Sequence, residues 1–488
     1  MKTPRNGVVL LIAVTLLARM LFGSWTGLGI DESYMVAAGR TLRLGYYDHP
    51  PIAWWLAGAA ERFGGADPDL VVRLPFILLF ALSTWLMFRL ASDLYGARAG
   101  FWAAALLNAA PVLGVTTGTW VLPDGPLVAA LLGAAVCLAR ALAAERTPWR
   151  WWLGTGACFG VAACSKYTAA PIGLGVLLYL ATEASARRWL RRPQPYVAAL
   201  IGFAAFAPVI VWNAHHGWAS LAFQGARADG GKWHPFGPVS TLAGEAAFFL
   251  PWIWVPLAIC MWRAMRRGPE DARGWLLVCL SVPSILLFEV VSLRAHVLFH
   301  WAAPATMLAI PLLGAAAARP WRNGSMLRLG LIATAAMVAL GVFVDASEVR
   351  FNWLPEVIEN FRMGNDPDLG AVNWSTLRTE LEARDLLKRG TVVAAVRWLD
   401  AGKIDYALRG SAPVICLGAD PREYGISAPA AAQAGADVLI VAPRETLASI
   451  SARFGGNFDA IAELPPVTLL HAGRPAMMLP LFLGHRLH

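Results

Sequence analysis

The chain opens with an apolar run at residues 7–25, GVVLLIAVTLLARMLFGSW, which leads into an acidic loop that begins with Asp31-Glu32. A helix that crosses a membrane needs about 20 apolar residues, so this run is long enough to cross one. Lys2 and Arg5 precede the run, as in a cleavable signal peptide. No small-x-small cleavage site is clear, however, and further apolar runs follow. We therefore expect a retained first transmembrane helix.

The composition of the whole chain agrees with a membrane protein. Of the 488 residues, 57% are hydrophobic and 15% are charged. A soluble chain would carry about 25% charged residues. This balance excludes a disordered chain and argues against a soluble one. The cysteines form no CxxC motif, so neither a zinc knuckle nor a disulfide framework is expected.

Long apolar blocks predict an α-helical polytopic membrane protein with about eleven transmembrane helices, and up to about 13. The blocks lie near residues 7–25, 70–91, 98–117, 122–142, 151–165, 168–183, 196–213, 239–262, 274–293, 297–317 and 326–346. Arginine-rich connections, such as residues 187–192, alternate with acidic ones. By the positive-inside rule, the N-terminus and the arginine-rich connections face the cytoplasm. The net charge of +9 is then explained by the orientation of the chain in the membrane. No nucleic-acid partner is expected.

The composition changes near residue 346, which divides a transmembrane domain, 1–346, from a small α/β domain, 347–488. An odd number of spans places this second domain outside the cytoplasm. Asn373–Lys388 predicts a helix that stops at Gly390. Four β-like runs predict a mixed sheet, and Gly473-Arg474-Pro475 predicts the turn of a final hairpin. The runs are Thr391–Val396, Pro413–Leu417, Asp437–Ala442 and Met477–Leu483.

The loop after the first apolar run predicts two helices on the outer membrane surface, within residues 31–63. Met35, Ala38 and Leu42 have helical spacing in the first of them. Pro50-Pro51 opens the second, since proline suits a helix start. That helix holds Trp54-Trp55, and tryptophan is typical of the boundary between lipid and water.

Short motifs follow one another through the transmembrane domain. They are Asp31-Glu32, Gly45 to Pro51, Arg73-Leu74-Pro75, Leu122 to Pro126, Ser165-Lys166-Tyr167, Pro208 with Trp212-Asn213, Gly217-Trp218, Phe223-Gln224 and His300 to Pro304. This ordered set resembles the polyprenyl-phosphate-dependent glycosyltransferases of the GT-C fold. More closely, it resembles bacterial glycosyltransferase family 39 and the aminoarabinose-transferase-like proteins, in the dolichyl-phosphate-mannose protein mannosyltransferase superfamily.

The resemblance implies an enzyme of the bacterial inner membrane that works on the periplasmic face. It would transfer a sugar from a polyprenyl-phosphate donor to an envelope acceptor, by an inverting attack. Lipid A or lipopolysaccharide core is the first acceptor to consider, and protein or another glycan is the second. No cofactor is implied, which agrees with the lack of a nucleotide-binding motif, and dependence on a divalent metal is left open. Membrane lipids are the remaining expected partners.

The acid pair at the start of the first loop supplies the candidate catalytic residues. Transfer to a hydroxyl needs a carboxylate that accepts its proton, and Asp31 matches the family's position for this base. The alternative is that Asp31 only caps the helix that follows, since aspartate is a favoured N-cap. Glu32 could orient substrate or be an ordinary solvated acid.

Four cationic or ionisable residues could hold the donor phosphate, which leaves on its lipid carrier: Lys166, His49, Arg73 and Arg294. Phosphate is best held by charge-assisted hydrogen bonds. Lys166 is the strongest candidate because it stands alone between two apolar runs. The alternative for Lys166 and both arginines is that they extend to the lipid–water interface. His49 departs from the aminoarabinose branch, which has lysine there, and this weakens any transfer of that branch's sugar specificity.

Five further residues could contact the sugar or the acceptor: Asp48, Asp124, Asn213, Gln224 and His300. Asp124 lies at the end of an apolar run, where an acid is costly unless it is used or paired. A headgroup location is the alternative for Asp124. A metal site is conceivable at His296 and His300, whose His-x-x-x-His spacing would place both on one face of a helix. Because the family that the chain resembles usually needs no dissociable metal, hydrogen bonding to sugar, phosphate or headgroup is favoured and no metal site is expected.

Two other functional classes fit part of the pattern. A transporter or flippase of lipid-linked sugars would also need many spans and buried charges, but no inverted repeat is visible in the sequence. A catalytically silent scaffold would use the C-terminal domain to bind a partner. A structured acidic loop after the first span favours the enzyme.

Overall fold

The computed structural model describes residues 3–64, 67–144, 149–319, 321–354 and 370–488. Within these, it describes only the backbone of 321–326. The chain divides into two compact units. The first, called here the helical unit, comprises Met1–Met20, Arg43–Ala53 and Leu74–Leu340. The second, called the mixed unit, comprises Leu21–Leu42, Trp54–Arg73 and Gly341–His488.

Helices dominate the first 351 residues. They are α1 (Pro4–Trp25), α2 (Ile30–Gly39), α3 (Ile52–Glu61), α4 (Pro68–Tyr95), α5 (Ala97–Ala109), α6 (Pro111–Gly114), α7 (Thr116–Thr119), α8 (Asp124–Ala143), α9 (Trp149–Ala163), α10 (Ala170–Thr182), α11 (Pro193–His215), α12 (Ala219–Ala228), α13 (Gly237–Phe249), α14 (Pro251–Arg267), α15 (Ala272–Ser292), α16 (Ala303–Leu308), α17 (Ile310–Ala317) and α18 (Trp321–Phe351).

Six of the described helices are long and apolar enough to cross a membrane: α1, α4, α8, α11, α15 and the Leu327–Phe351 part of α18. Two bent pairs raise the number to eight if each pair is one span. The first pair bends by 78° between Ala109 and Pro111, and the second by 116° between Phe249 and Pro251. The expected multi-pass helical membrane protein is confirmed. The count of about eleven stays a prediction, because α9, α10 and the α16–α17 segment are shorter than a span.

Small residues let the helices of the helical unit approach closely. Gly156 of α9 lies directly against the carbonyl oxygen of Ala198 in α11, with no room for a Cβ. A Cβ on Gly160, one turn later, would lie 2.6 Å from the Cβ of Ala205. Small residues are the usual means of close helix packing in membranes. This packing fixes the C-terminal end of α9, and Lys166 follows that end directly.

A five-stranded mixed sheet forms the C-terminal part of the mixed unit, as predicted. Its strands are β1 (Val392–Ala395), β2 (Val414–Cys416), β3 (Val438–Val441), β4 (Phe458–His471) and β5 (Arg474–Leu487). The strand order is β2-β1-β3-β5-β4. The first three strands pair in parallel, and β5 runs antiparallel to both β3 and β4. The helices of this part are α19 (Ser375–Ala383), α20 (Trp398–Leu408), α21 (Tyr424–Ser427) and α22 (Leu447–Phe454).

The final hairpin joins a predicted strand to one that the sequence did not reveal. Its turn contains Gly473, whose φ of 81° suits glycine. Strand β4 was not predicted from the sequence because Pro465-Pro466 interrupts its apolar residues. The structure accommodates the two prolines at a register shift between Leu464 and Val467, on a strand at the edge of the sheet. Prolines are tolerated at such places because a ladder hydrogen bond is already missing.

Helix α2, one of the two helices predicted to lie on the membrane surface, packs within the mixed unit against α20, and most of its residues are buried. Its predicted place on the membrane surface stays a prediction. A Cβ on Gly402 would lie 2.7 Å from the Cβ of Tyr34, so the two helices are in close contact there. The buried Lys403 ammonium donates to the carbonyl oxygens of Leu28 (2.7 Å) and Val372 (2.9 Å). The two compact units therefore do not correspond to one cut of the chain at residue 346. Most of the segment between α1 and α4 belongs to the same unit as the C-terminal residues.

Candidate active site

The predicted site residues fall into two sets, one in each unit. The helical unit holds eight of them: Asp48, His49, Asp124, Lys166, Asn213, Gln224, Arg294 and His300. The mixed unit holds three: Asp31, Glu32 and Arg73. Each set has an ion pair at its centre.

A buried ion pair between Lys166 and Asp124 is the centre of the first set. The Lys166 ammonium donates to both carboxylate oxygens of Asp124, at 2.9 and 2.8 Å. The residues are 6% and 9% exposed, respectively. Lys166 has extended backbone before the short 3₁₀ turn Tyr167–Ala169, and Asp124 is the first residue of α8. Lys166 is therefore buried and paired, which differs from a lysine that reaches out to the interface.

Two histidines lie within electrostatic range of the Asp124 carboxylate, His300 and His49. His300 lies in the turn before α16, outside the helices that could span a membrane. Burial, followed by the nearby Lys166 ammonium, lowers the pKa of His300 to about 4. His300 is therefore neutral at pH 7 and can exchange hydrogen bonds with sugar hydroxyls without adding charge.

Gln224 and Asn213 make hydrogen bonds within the helical unit. The Gln224 amide donates to the backbone oxygen of Asp48 at 2.5 Å, so α12 is bound to the loop that carries His49. The fully buried Asn213 donates to the Val209 oxygen and accepts from the Leu221 amide at 3.2 Å. Asn213 thus fixes the connection between α11 and α12. These contacts show that both residues hold the loops in place. Their predicted contact with sugar or acceptor stays a prediction.

The same loop is bound to the segment that carries Lys166. The Ile52 amide donates to the Cys164 carbonyl oxygen at 3.1 Å. Gly45 lies against the Trp212 ring, where a Cβ would come within 2.9 Å of a ring carbon. The Tyr167 and Ser220 hydroxyls are 2.8 Å apart, a contact that the sequence did not predict. Loop 43–53, the 164–167 segment and α12 therefore form one hydrogen-bonded group around the ion pair.

Arg294 follows α15 and is exposed. No ion pair is formed by it among the residues that the structure describes. Its backbone lies close to Gly230, where a Cβ would be 2.3 Å from the Arg294 carbonyl oxygen. No described contact connects Arg294 with Lys166, so its role as a phosphate ligand stays a prediction.

Glu32 and Arg73 form the second ion pair. The Arg73 guanidinium donates to both Glu32 oxygens, at 2.8 and 2.6 Å, and to the carbonyl oxygens of Gly23, Thr26 and Gly27. Arg73 is 1% exposed and Glu32 is 4% exposed. All three guanidinium nitrogens are thereby engaged. This geometry supports a positioning role for both residues more than contact with substrate.

Asp31 differs from its neighbour Glu32 because it lies on the exposed side of the first turn of α2. The N-cap of this helix is Gly29, and the Glu32 carboxylate accepts from the Gly29 amide at 2.8 Å. The alternative that Asp31 serves as the N-cap is therefore wrong. Glu32 closes the helix start, and Asp31 is exposed, so that solvent or substrate can reach it, as a general base requires.

The Arg73–Glu32 pair leads to a stability prediction. We expect Arg73→Met to lower the free energy of unfolding by about 3–5 kcal/mol, because it leaves a buried carboxylate without its partner. Thermal melts of the purified protein measure this effect. Arg378→Met is the matched control, since Arg378 pairs with Glu382 on an exposed helix face and should matter little. An Arg73→Met protein that melts normally but binds donor poorly would instead make Arg73 a phosphate ligand.

His300 leads to a pH-dependence prediction. Its pKa is about 4 in the folded protein and 6.5 when unperturbed, so the unfolded chain binds more protons between these values. The free energy of unfolding therefore falls as the pH drops from 6.5 towards 4. We expect His300→Gln to make the decline of the melting temperature over this range shallower. Superimposable pH profiles of the two proteins would contradict the assignment.

A metal centre is not visible in the described residues, which contain no group of three or more His, Cys, Asp or Glu side chains placed to hold an ion. The His216 ring stacks on the Trp212 ring, with 4.3 Å between the ring centroids. Whether catalysis needs a dissociable metal stays open to experiment.

Comparison with known proteins agrees with this architecture. Residues 48–212 match the family model for dolichyl-phosphate-mannose-protein mannosyltransferase, and this segment contains both Asp124 and Lys166. The lipid A galacturonosyltransferase RgtD of Rhizobium johnstonii is 24% identical over 321 residues, which cover 64% of this chain. The match spans 66% of that relative, just under two thirds of its length.

Solved structures extend the likeness over the whole chain. ArnT from Cupriavidus metallidurans, bound to undecaprenyl phosphate, has a TM-score of 0.67 at 15% identity, with 97% of each chain covered. The oligosaccharyltransferase of Archaeoglobus fulgidus has a TM-score of 0.52 at 12% identity, over 88% of this chain and 67% of that one. The expected GT-C fold and the resemblance to polyprenyl-phosphate glycosyltransferases are thus confirmed.

Proposed function

We propose that the protein is an inverting membrane glycosyltransferase that takes a sugar from a polyprenyl-phosphate donor. Lipid A is the proposed acceptor, with lipopolysaccharide core, protein or another glycan as later choices. The observation that carries this proposal is the buried Lys166–Asp124 pair inside the segment that matches the mannosyltransferase family. The names of RgtD, a lipid A transferase, and of ArnT with its bound lipid phosphate support the choice of acceptor and donor.

Lys166 is proposed to hold the donor phosphate. Its ammonium has three N–H groups, and two of them point at the Asp124 oxygens. Asp124 thereby holds the lysine in position, and the third N–H is available for a phosphate oxygen. As the sugar leaves, negative charge grows on the phosphate, and a fixed cation stabilises that charge.

His49 and His300 are proposed to line the same part of the helical unit with different tasks. His300, which is neutral at pH 7, would exchange hydrogen bonds with sugar hydroxyls. His49 replaces the lysine of the aminoarabinose branch and could donate to phosphate when it is protonated. Asp48 supplies the backbone oxygen that binds Gln224, and its side chain is proposed to contact sugar.

Asp31 is proposed as the base that removes the proton of the acceptor hydroxyl. Its carboxylate is on the exposed side of α2, while Glu32 is engaged by Arg73. A base must reach the proton that it takes, and of the two acids only Asp31 is exposed. Glu32 would act through Asp31, because it fixes the start of α2 and thereby the position of Asp31.

Orientation in the membrane is part of the same proposal. The arginine-rich connections support an N-terminus in the cytoplasm and a mixed unit in the periplasm of a bacterial inner membrane. An acceptor such as lipid A would then be approached from the periplasmic side. Transfer on that side requires a lipid-linked donor, since cytoplasmic nucleotide sugars are absent there.

A transporter or flippase of lipid-linked sugars is the second candidate. It is favoured by the two broken helices, with bends of 78° and 116°, because discontinuous helices line the substrate sites of many transporters. Movement of donor across vesicle membranes without any glycosylated product would support this candidate over the enzyme.

Mass spectrometry of envelope glycolipids and glycoproteins, from cells with and without this protein, tests the proposed function. We expect one lipid A species to lose the mass of a single sugar when the protein is missing. The lost mass would identify the donor sugar as a hexose, a pentose or a uronic acid. An unchanged set of lipid A species, with a mass loss in a glycoprotein, would move the acceptor to protein.

A further inference from the structure

The mixed unit contains an open cavity of about 370 Å³ that none of the predicted site residues lines. Its lining residues are Arg40, Gly58, Glu61, Arg62, Gly64, Pro68, Tyr406 and Arg409. Three of the eight are arginines, from the end of α2, the end of α3 and the end of α20. The cavity thus brings together cations from three separate parts of the chain.

Charge pairing leaves two of these arginines without a carboxylate in contact. The Arg40 guanidinium pairs with two carboxylates, Glu61 at 2.7 Å and Asp405 at 2.6 Å. Arg62 and Arg409 are exposed, and neither has a carboxylate partner among the described residues. The Tyr406 hydroxyl donates at 2.6 Å to the Asp69 carboxylate, which does not itself line the cavity. Because the charged lining residues are three arginines and one glutamate, the lining favours an anion.

An exposed aromatic residue lies next to the arginine-lined cavity. Phe63 stands between Arg62 and Gly64, and it is 86% exposed. An apolar ring exposed beside a cation is typical of a surface that meets the boundary between lipid headgroups and acyl chains. This second observation points to a lipid rather than to a soluble anion.

From these observations we infer that the cavity binds the phosphate headgroup of an anionic lipid, with Arg62 and Arg409 as its ligands. The planar guanidinium matches two phosphate oxygens at once, which a lysine ammonium cannot do. Phe63 would contact the apolar part of the same lipid. Two kinds of lipid could carry this phosphate: the glycolipid acceptor or a membrane phospholipid. Only the first of them rests on the proposed function.

Lipid binding by the purified full-length chain tests the inference, with native mass spectrometry as the readout. The probes are bis-phosphorylated lipid A, phosphatidylglycerol and, as the zwitterionic reference without net charge, phosphatidylcholine. The test variant is Arg62→Gln with Arg409→Gln. The matched control is Arg389→Gln with Arg444→Gln, which removes two other exposed arginines of the same unit. Arg444 also matches Arg409 in its positive φ, 65° against 49°.

We expect the test variant to bind lipid A at least tenfold more weakly, while the control binds normally. Loss for lipid A alone would identify the acceptor as the occupant. An equal loss of phosphatidylglycerol binding would identify anionic lipids in general as the occupant, which supports the phosphate site just as well. Unchanged binding of both lipids, or an equal loss in the control, would overturn the inference. Because binding is measured without any sugar transfer, failure of the proposed reaction would not alter this result.

Discussion

Asp31→Asn is expected to lower the rate of sugar transfer by about 10²–10⁴-fold, the range that a general base contributes. Asparagine keeps the size of the side chain but cannot accept the proton of the acceptor hydroxyl. The helix start should stay intact, because Gly29 and Glu32 form the cap. Transfer assays with purified protein, together with a thermal melt and a donor-binding measurement, separate loss of chemistry from loss of fold.

Asp229→Asn is the matched control for this experiment. Asp229 is another exposed acid, at the end of α12, and it has no proposed part in the reaction. It should transfer sugar at the normal rate. An Asp31→Asn protein that also transfers normally would show that Asp31 is not the base, and the search would move to Asp48 and Glu32.

Lys166→Met is expected to weaken donor binding by about 10–100-fold, as the loss of one charge-assisted hydrogen bond predicts. It should also lower the free energy of unfolding by about 3–5 kcal/mol, because Asp124 is left as a buried charge without a partner. Donor binding and thermal melts of the same preparation measure the two effects.

A double variant separates these two effects. In Lys166→Met with Asp124→Leu, no unpaired charge remains, and an apolar pair in a buried site can be as stable as the ion pair. We therefore expect the double variant to regain stability without regaining donor binding. If it regained both, the ion pair would be structural only, and the phosphate would be held elsewhere.

The elements with strong local signals could be predicted from the sequence. Each predicted span overlaps at least one helix, because apolar runs report burial in lipid or in a helical core, although the span predicted at 297–317 becomes helical only from Ala303. Strands β1 and β3 are fully buried and read as continuous apolar runs, as parallel strands do. Strand β4 did not show this signal, because its prolines and acids are accommodated only by an edge position and a register shift.

The pairings at the candidate site could not be predicted in the same way. Lys166 and Asp124 are 42 residues apart, and Glu32 and Arg73 are 41 apart. Each residue alone suggested an ionisable group at the end of an apolar run. Only the packing of α8 and α9 shows that two of them neutralise each other. Likewise, the sequence gives no sign that Asp31 and Glu32, as neighbours, differ in exposure.

The direct test of glycosyltransferase activity uses the purified full-length protein. It measures transfer of a labelled sugar from a polyprenyl-phosphate carrier to lipid A. We expect labelled lipid A and an equal amount of released polyprenyl phosphate. With Asp31→Asn, both products should form about 10²–10⁴-fold more slowly. Movement of the intact donor across the membrane of reconstituted vesicles, with no labelled acceptor of any class, would contradict the proposed activity.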